Sequence, residues 1–291
     1  MVLFKLFMFA AIVGIFCING HAKSSSSAPK VEIPFHDVNG YIMINGRVDA
    51  VHGRFMFDTG TPFSYLLNNN ILPVNKDEFI ASGHAGSGQP VVIFKHRNPA
   101  HISLFYGVIE EMKSDILHAD FDFIQKGVAC DFIGMIGIED LKERIFSINY
   151  QEQLIRVYDE LPEIGGEYIK LLVNNNPLPE LGLTVGGVSI TGYFDTGNLG
   201  SLLLTVEAEA LLSKAGLLTS KTLNGNHGAP GRIVMGRLSE VKFNDSLYTA
   251  VDGLTFEYGE SNRLALGYSF LKGYESIWDL KNGAIYLLMK K

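Results

Sequence analysis

The chain has 291 residues, 47% hydrophobic and 19% charged, a balance that suits a globular core and excludes a disordered chain. A formal net charge of −7 disfavours nucleic acid, which needs a basic surface. Two cysteines, Cys17 and Cys130, exclude a disulfide framework.

The N-terminus reads as a targeting segment. Lys5 gives a small positive region, Leu6 to Ile18 an apolar run, and Gly20-His21-Ala22 small residues where a signal peptidase cuts. Residues 1–22 are therefore expected to be a cleaved signal peptide that exports the protein to the periplasm or the medium. The alternative is an uncleaved membrane anchor, although the run is short of the ~20 residues a spanning helix needs. Lys23 to Lys30 is a Ser-rich, flexible leader. After cleavage Cys130 stands alone, and it reads as a buried small hydrophobe.

Order is expected from Val31. Tyr41 to Ile44 reads as a strand ending in an Asn45-Gly46 hairpin turn. The returning strand, through Val51 to Phe57, runs into Asp58-Thr59-Gly60-Thr61. Phe63 to Leu72 is a strand and loop, and the Gly-rich stretch Ser82 to Pro90 is the tip of a hairpin continuing into Val91 to Phe94. His118-Ala119-Asp120-Phe121-Asp122 reads as a solvated loop rather than a metal cluster. Phe132 to Gly137, two apolar-apolar-Gly steps, leads into a short helical stretch and then two strands to Tyr158.

The second half repeats this order. Leu183 to Val185, the turn Gly186-Gly187 and Val188 to Phe194 form a hairpin into Asp195-Thr196-Gly197-Asn198. Thr205 caps a helix over Val206 to Leu212. A second Gly-rich tip spans Asn224 to Gly231, and Leu264-Ala265-Leu266-Gly267 matches the Gly137 landmark. From that landmark the halves align without a gap at an offset of 130, while Asp58 and Asp195 are 137 apart. This is a duplication of one unit, too long and too few in copies for a solenoid.

Two Asp-Thr-Gly motifs, each after an apolar strand and each with a matching downstream glycine, resemble the aspartic peptidase superfamily. The short, equal halves look closer to a fused retropepsin pair than to a full-length pepsin. The resemblance implies an all-β fold with a few short helices: two similar β-barrel-like lobes related by a pseudo-twofold, over residues 31–160 and 161–291. It also implies an exported aspartic endopeptidase in which Asp58 and Asp195 activate water. Thr59, Gly60, Thr61, Thr196, Gly197 and Asn198 would support the motifs. Gly60 and Gly197 would let the backbone turn tightly, and Thr59 and Thr196 would hydrogen-bond between the halves. Asn198 stands where Ser, Thr or Ala is usual and could still donate to a carboxylate.

Gly86, Ser87 and Gly88 in one tip, and Gly228, Ala229 and Gly231 in the other, would be substrate-covering flaps. Neither tip has the tyrosine that pepsin-like flaps carry. The expected partner is a peptide or protein substrate, with no cofactor, metal or nucleic acid, and with membrane contact only through an uncleaved N-terminus. The protein is expected to be a monomer. The competing reading is a non-catalytic peptide-binding module on the same fold.

N-terminal sequencing of exported protein tests the targeting reading. The first residue should lie near Lys23, and recovery of Met1 in a membrane fraction would mean an anchor.

Overall fold

The computed structural model describes residues 28–72, 78–85, 89–95, 98–105, 107, 109–114, 116–175, 177–223, 233–243, 246–252, 254–257 and 262–289. The signal segment, residues 86–88 of the first Gly-rich tip and the whole of the second lie outside the described residues, and with them Gly86, Ser87, Gly88, Gly228, Ala229 and Gly231.

The protein is all-β with a few short helices, and its described strands form three sheets of ten, nine and six strands. The reason lies in the burial pattern of the two strands that lead into the Asp-Thr-Gly motifs. Phe55, Met56 and Phe57 are buried in succession, as are Gly192, Tyr193 and Phe194. Strands covered on both faces read as unbroken apolar runs. Val51–Phe57 lies between the antiparallel Tyr41–Val48 and the parallel Phe132–Ile136. Val188–Phe194 lies in the same way between Pro179–Val185 and Arg263–Leu266.

The repeat is visible strand by strand. Val51–Phe57 recurs 137 positions later as Val188–Phe194, and Tyr65–Asn68 as Leu202–Thr205. The six-stranded sheet draws on both halves, in the order Val31–Pro34, Leu154–Tyr158, Ile145–Asn149, Tyr274–Asp279, Ala284–Met289, Tyr168–Leu172. That order is palindromic under the duplication. Its central antiparallel pair sets Ser147 opposite Ile277, the residue 130 positions on.

An aromatic floor connects this sheet to the motifs. Trp278, fully buried, stacks on Phe146 at 5.3 Å and meets Phe194 edge-on at 5.8 Å, while Phe57 meets Phe146 at 6.0 Å. Phe57 and Phe194 are the residues just before the two aspartates. Aromatic pairs of this kind add about 0.5–1.5 kcal/mol each beyond area burial, so the strand ends are anchored from below.

Three sequence expectations are corrected. Asn45-Gly46 is not a turn: Tyr41–Val48 is one continuous strand, and Asn45 pairs with Arg54. The hairpin instead closes at Asp49-Ala50, between paired Val48 and Val51, with Asp49 at φ +51°. Gly46 is there for close packing, since a Cβ would lie 2.8 Å from Ser103 O and 2.9 Å from the Phe55 ring. The Asn-Gly turn that does form is Asn39-Gly40, with both φ angles positive.

Second, His118 and Ala119 are not in a solvated loop. They lie fully buried in the strand Leu117–Ala119, paired on both sides, with His118 stacked on Phe94 at 5.6 Å. Asp122 opens the helix Asp122–Gly127. Third, Cys130 is a free, exposed cysteine. It sits between that helix and the strand Phe132–Ile136, where Ala129 and Phe132 take the inward positions. Other local readings match: Gly186-Gly187 turns the hairpin with positive φ, and Thr205 Oγ1 accepts from Ala208 N at 3.3 Å to cap the helix Val206–Lys214.

Gly53 tests the packing of the first motif strand. A Cβ there would lie 2.3 Å from Asp131 O and 2.5 Å from Ile133 Cγ2, whereas Gly182 has nothing within 4 Å. Gly53→Ala should lower the urea midpoint by the equivalent of about 1–3 kcal/mol, the usual cost of overpacking. Gly182→Ala should be neutral or slightly stabilising.

Candidate active site

The site is built from two strand ends that approach each other. Asp58 N donates to Ile136 O at 2.8 Å, and Asp195 N donates to Leu266 O at 2.9 Å, so each aspartate is pinned to its parallel neighbour strand. Each loop then folds back on itself. Thr61 N donates to Asp58 O and Asn198 N to Asp195 O, both at 3.2 Å. Gly60 N donates to Asp58 Oδ1 at 2.9 Å, and Gly197 N to Asp195 Oδ1 at 2.8 Å. A backbone N–H aimed at a carboxylate oxygen makes a charge-assisted hydrogen bond that fixes its rotamer.

The glycines show how close the two loops come. A Cβ on Gly60 would lie 2.6 Å from Asp195 Cγ, and one on Gly197 would lie 2.7 Å from Asp58 Cγ. Each glycine therefore leaves room for the opposing carboxyl. The landmark glycines do the same work one layer out: a Cβ on Gly137 would meet Phe63 O at 2.0 Å, and one on Gly267 would meet Gly200 O at 2.3 Å.

The threonines cross between the loops. Thr59 Oγ1 donates to Phe194 O at 2.8 Å, and Thr196 Oγ1 donates to Phe57 O at 2.7 Å. In return Thr59 N donates to Thr196 Oγ1 at 3.0 Å, and Thr196 N to Thr59 Oγ1 at 3.1 Å. Both side chains are fully buried. Each hydroxyl thus donates once and accepts once across the junction, and all four backbone groups involved are satisfied.

The two carboxyls differ in their outer partner. Thr61 Oγ1 donates to Asp58 Oδ2 at 2.8 Å. Asn198, the equivalent residue, could have donated to a carboxylate but does not. Its Oδ1 is taken by Gly200 N at 3.0 Å, and its buried Nδ2 has no hydrogen-bond partner. The short side chain closes a local turn and turns its amide away.

Sequence reasoning missed the tyrosines around the pair. The Tyr41 phenol pKa is pushed up to about 12, first by burial and then by the nearby carboxylates of Asp58 and Asp195. Tyr150 is buried and shifted the same way by burial, Tyr268, Asp37 and Asp195. Tyr268 packs edge-on against Tyr150 at 5.3 Å and donates from its hydroxyl to Asp37 Oδ2 at 2.9 Å. The signal for Tyr41 was available: with the hairpin closed at Asp49-Ala50, extending the Met43–Met56 register by two residues carries Tyr41 towards Asp58, just past the strand end.

Two surface cavities, of about 440 and 530 Å³, lie elsewhere, beside Gly182–Ile190 and Arg47–Gly53. Neither holds Asp58 or Asp195. Among the described residues, no cluster of three His, Cys, Asp or Glu side chains could hold a metal ion. Two facing carboxyls with backbone donors at one oxygen can share a proton, polarise a carbonyl and deprotonate water. Comparison with protein-family models gives no match, and comparison with curated protein sequences gives none either.

The crossed threonines predict a strong mutual dependence. Thr59→Val leaves the buried Phe194 O and Thr196 N unpaired, and should destabilise by roughly 2–6 kcal/mol, since each such group costs about 1–3. Thr196→Val should behave alike, and the double variant should fall short of additivity by about 0.5–3 kcal/mol in a double-mutant cycle followed by urea unfolding. Additive losses would mean that the two hydroxyls act separately.

Proposed function

We propose that this chain is an exported aspartic-type endopeptidase of the pepsin–retropepsin kind, with two similar lobes related by a pseudo-twofold. The palindromic strand order of the six-stranded sheet supports the two-lobe reading, with the Ser147–Ile277 pair near the axis. The observation that carries the function is the approach of the two carboxyls, each occupying the space a side chain would need at the other loop's glycine. Export rests on residues 1–22 of the sequence.

The chemistry follows from two like acids at short range. They cannot both ionise easily, so they hold one proton between them and titrate as a pair; the aspartic protease dyad is the standard instance. The ionised carboxyl takes a proton from water as its oxygen adds to the peptide carbonyl carbon. The protonated carboxyl donates to the carbonyl oxygen, and a proton then passes to the amine as the C–N bond breaks. The strands beneath hold the carboxyls rigidly, as such geometry requires.

Digestion of a peptide library by the exported protein tests this. Cleavage should follow a bell-shaped pH profile with an acidic optimum, because one carboxyl must be ionised and the other protonated. Asp58→Asn and Asp195→Asn should each abolish it about as fully as the double variant, since paired catalytic groups are strongly non-additive. Full activity in Asp195→Asn would rule out the dyad. A folded wild type that binds peptides without cutting them would support the binding-module reading.

A further inference from the structure

We propose that Tyr41 contacts the substrate. Its phenol hydroxyl donates a hydrogen bond to the peptide oxygen that becomes the oxyanion when water adds between Asp58 and Asp195. The proposal rests on the peptidase reading above and names a third participant in that site.

Register comes first. The strands Tyr41–Val48 and Val51–Phe57 pair with Met43 opposite Met56. Continuing that register by two residues sets Tyr41 opposite Asp58. Residues two apart on a strand share a face, and directly opposed residues lie on the same side of the sheet. Met43 and Met56 are buried in one apolar cluster, and the Tyr41 ring packs against that cluster. The ring is thus seated beside Asp58, on Asp58's side of the sheet.

Availability comes second. Tyr41 is partly exposed, and among the described residues its hydroxyl makes no hydrogen bond. A buried or half-buried phenol usually finds a partner, and this one lies near enough to Asp58 and Asp195 to feel both carboxylates. Burial and the two carboxylates keep its pKa at about 12, so it remains an O–H donor throughout the acidic and neutral range.

Fixation comes third. The residue before Tyr41 is locked to the other half of the molecule. Asp37 accepts from Gly40 N at 2.6 Å and from Tyr268 Oη at 2.9 Å. A Cβ on Gly40 would lie 2.7 Å from the Tyr268 ring and 3.0 Å from Leu199. The Asn39-Gly40 turn is therefore clamped against the loop after Asp195 and against the residue after Gly267, which sets Tyr41 with respect to both aspartates. Among the described residues the charged groups that act on it are Asp58 and Asp195, while the neighbouring Asp37 is held by Tyr268.

The step balances without change to the tyrosine. The water oxygen bonds to the carbonyl carbon, one water proton goes to the ionised carboxyl, and the carbonyl π pair moves onto oxygen. Tyr41 and the protonated carboxyl both donate to that oxygen. On collapse the C=O re-forms, the C–N bond breaks, the amine takes the proton, and the phenol keeps its own. Tyr41 acts only as a fixed donor aimed where charge develops, which is where such donors contribute most.

Tyr41→Phe tests the proposal with the ring retained. Against a peptide that the wild type cleaves, kcat should fall by about 10–1000-fold with KM changed by less than about 3-fold, the signature of a contact made mainly in the transition state. A statine-type inhibitor should bind more weakly to Tyr41→Phe, while a cleavage-product peptide should bind equally to both proteins. A kcat/KM within about 2-fold of wild type would overturn the role of Tyr41 and leave the dyad standing; a wild type without peptidase activity would remove the dyad itself. If Tyr41→Phe fails to fold, the wild-type complex with the statine-type inhibitor decides. The phenol oxygen should lie within about 3.2 Å of an inhibitor oxygen, and a phenol turned away from it would overturn the proposal.

Discussion

Four hydrogen bonds between Thr59, Thr196 and the backbone at each other's strand end hold the two Asp-Thr-Gly loops in register. Everything else in the site depends on them. Two carboxylates repel, and in a half-buried setting that repulsion is weakly screened. Something other than the acids must therefore hold them together. The crossed threonines do so with groups that cannot be released to water without leaving buried backbone polar atoms unpaired. The aromatic floor of Phe57, Phe146, Phe194 and Trp278 holds the strand ends from the opposite side.

The constraint also explains the glycines. Gly60 and Gly197 are needed because the opposing carboxyl occupies the space a Cβ would fill. Gly137 and Gly267 are needed because the loop after each aspartate folds down onto the neighbouring strand. The duplication is less strict outside this layer. Thr61 supports Asp58 directly, whereas Asn198 spends its carbonyl on Gly200 N, so two nearly identical loops surround their carboxyls differently. The tyrosines add a further asymmetry, since Tyr41 comes from the first half, and Tyr150 and Tyr268 crowd the side of the second aspartate.

The repeated motif, its strand and its downstream glycine were legible in the sequence because each carries a local signature. Unbroken apolar runs mark doubly covered strands, and small residues mark close approach. The Gly186-Gly187 turn and the Thr205 cap were legible for the same reason. Asn45-Gly46 was misread because a glycine needed for packing looks the same in sequence as one needed for a turn. What separates them is Ser103 O and the Phe55 ring, which come from other segments. That misreading also hid the position of Tyr41: a hairpin closed four residues too early pairs the wrong residues and carries Tyr41 away from the end of Val51–Phe57. The burial of His118 was likewise set by partners distant in sequence, the strands on either side of it, whereas Cys130 is exposed in the short link between the helix Asp122–Gly127 and the strand Phe132–Ile136.

In the proposed mechanism Asp58 and Asp195 form one unit that binds the tetrahedral intermediate of peptide hydrolysis. A crystal structure of the protein with a statine-type peptide, whose secondary hydroxyl stands in for that intermediate's oxygen, tests it most directly. The hydroxyl should lie between the two aspartates, within hydrogen-bond distance of a carboxylate oxygen of each. An inhibitor seated with its hydroxyl away from both carboxyls, or held by one aspartate with the other turned aside, would contradict it.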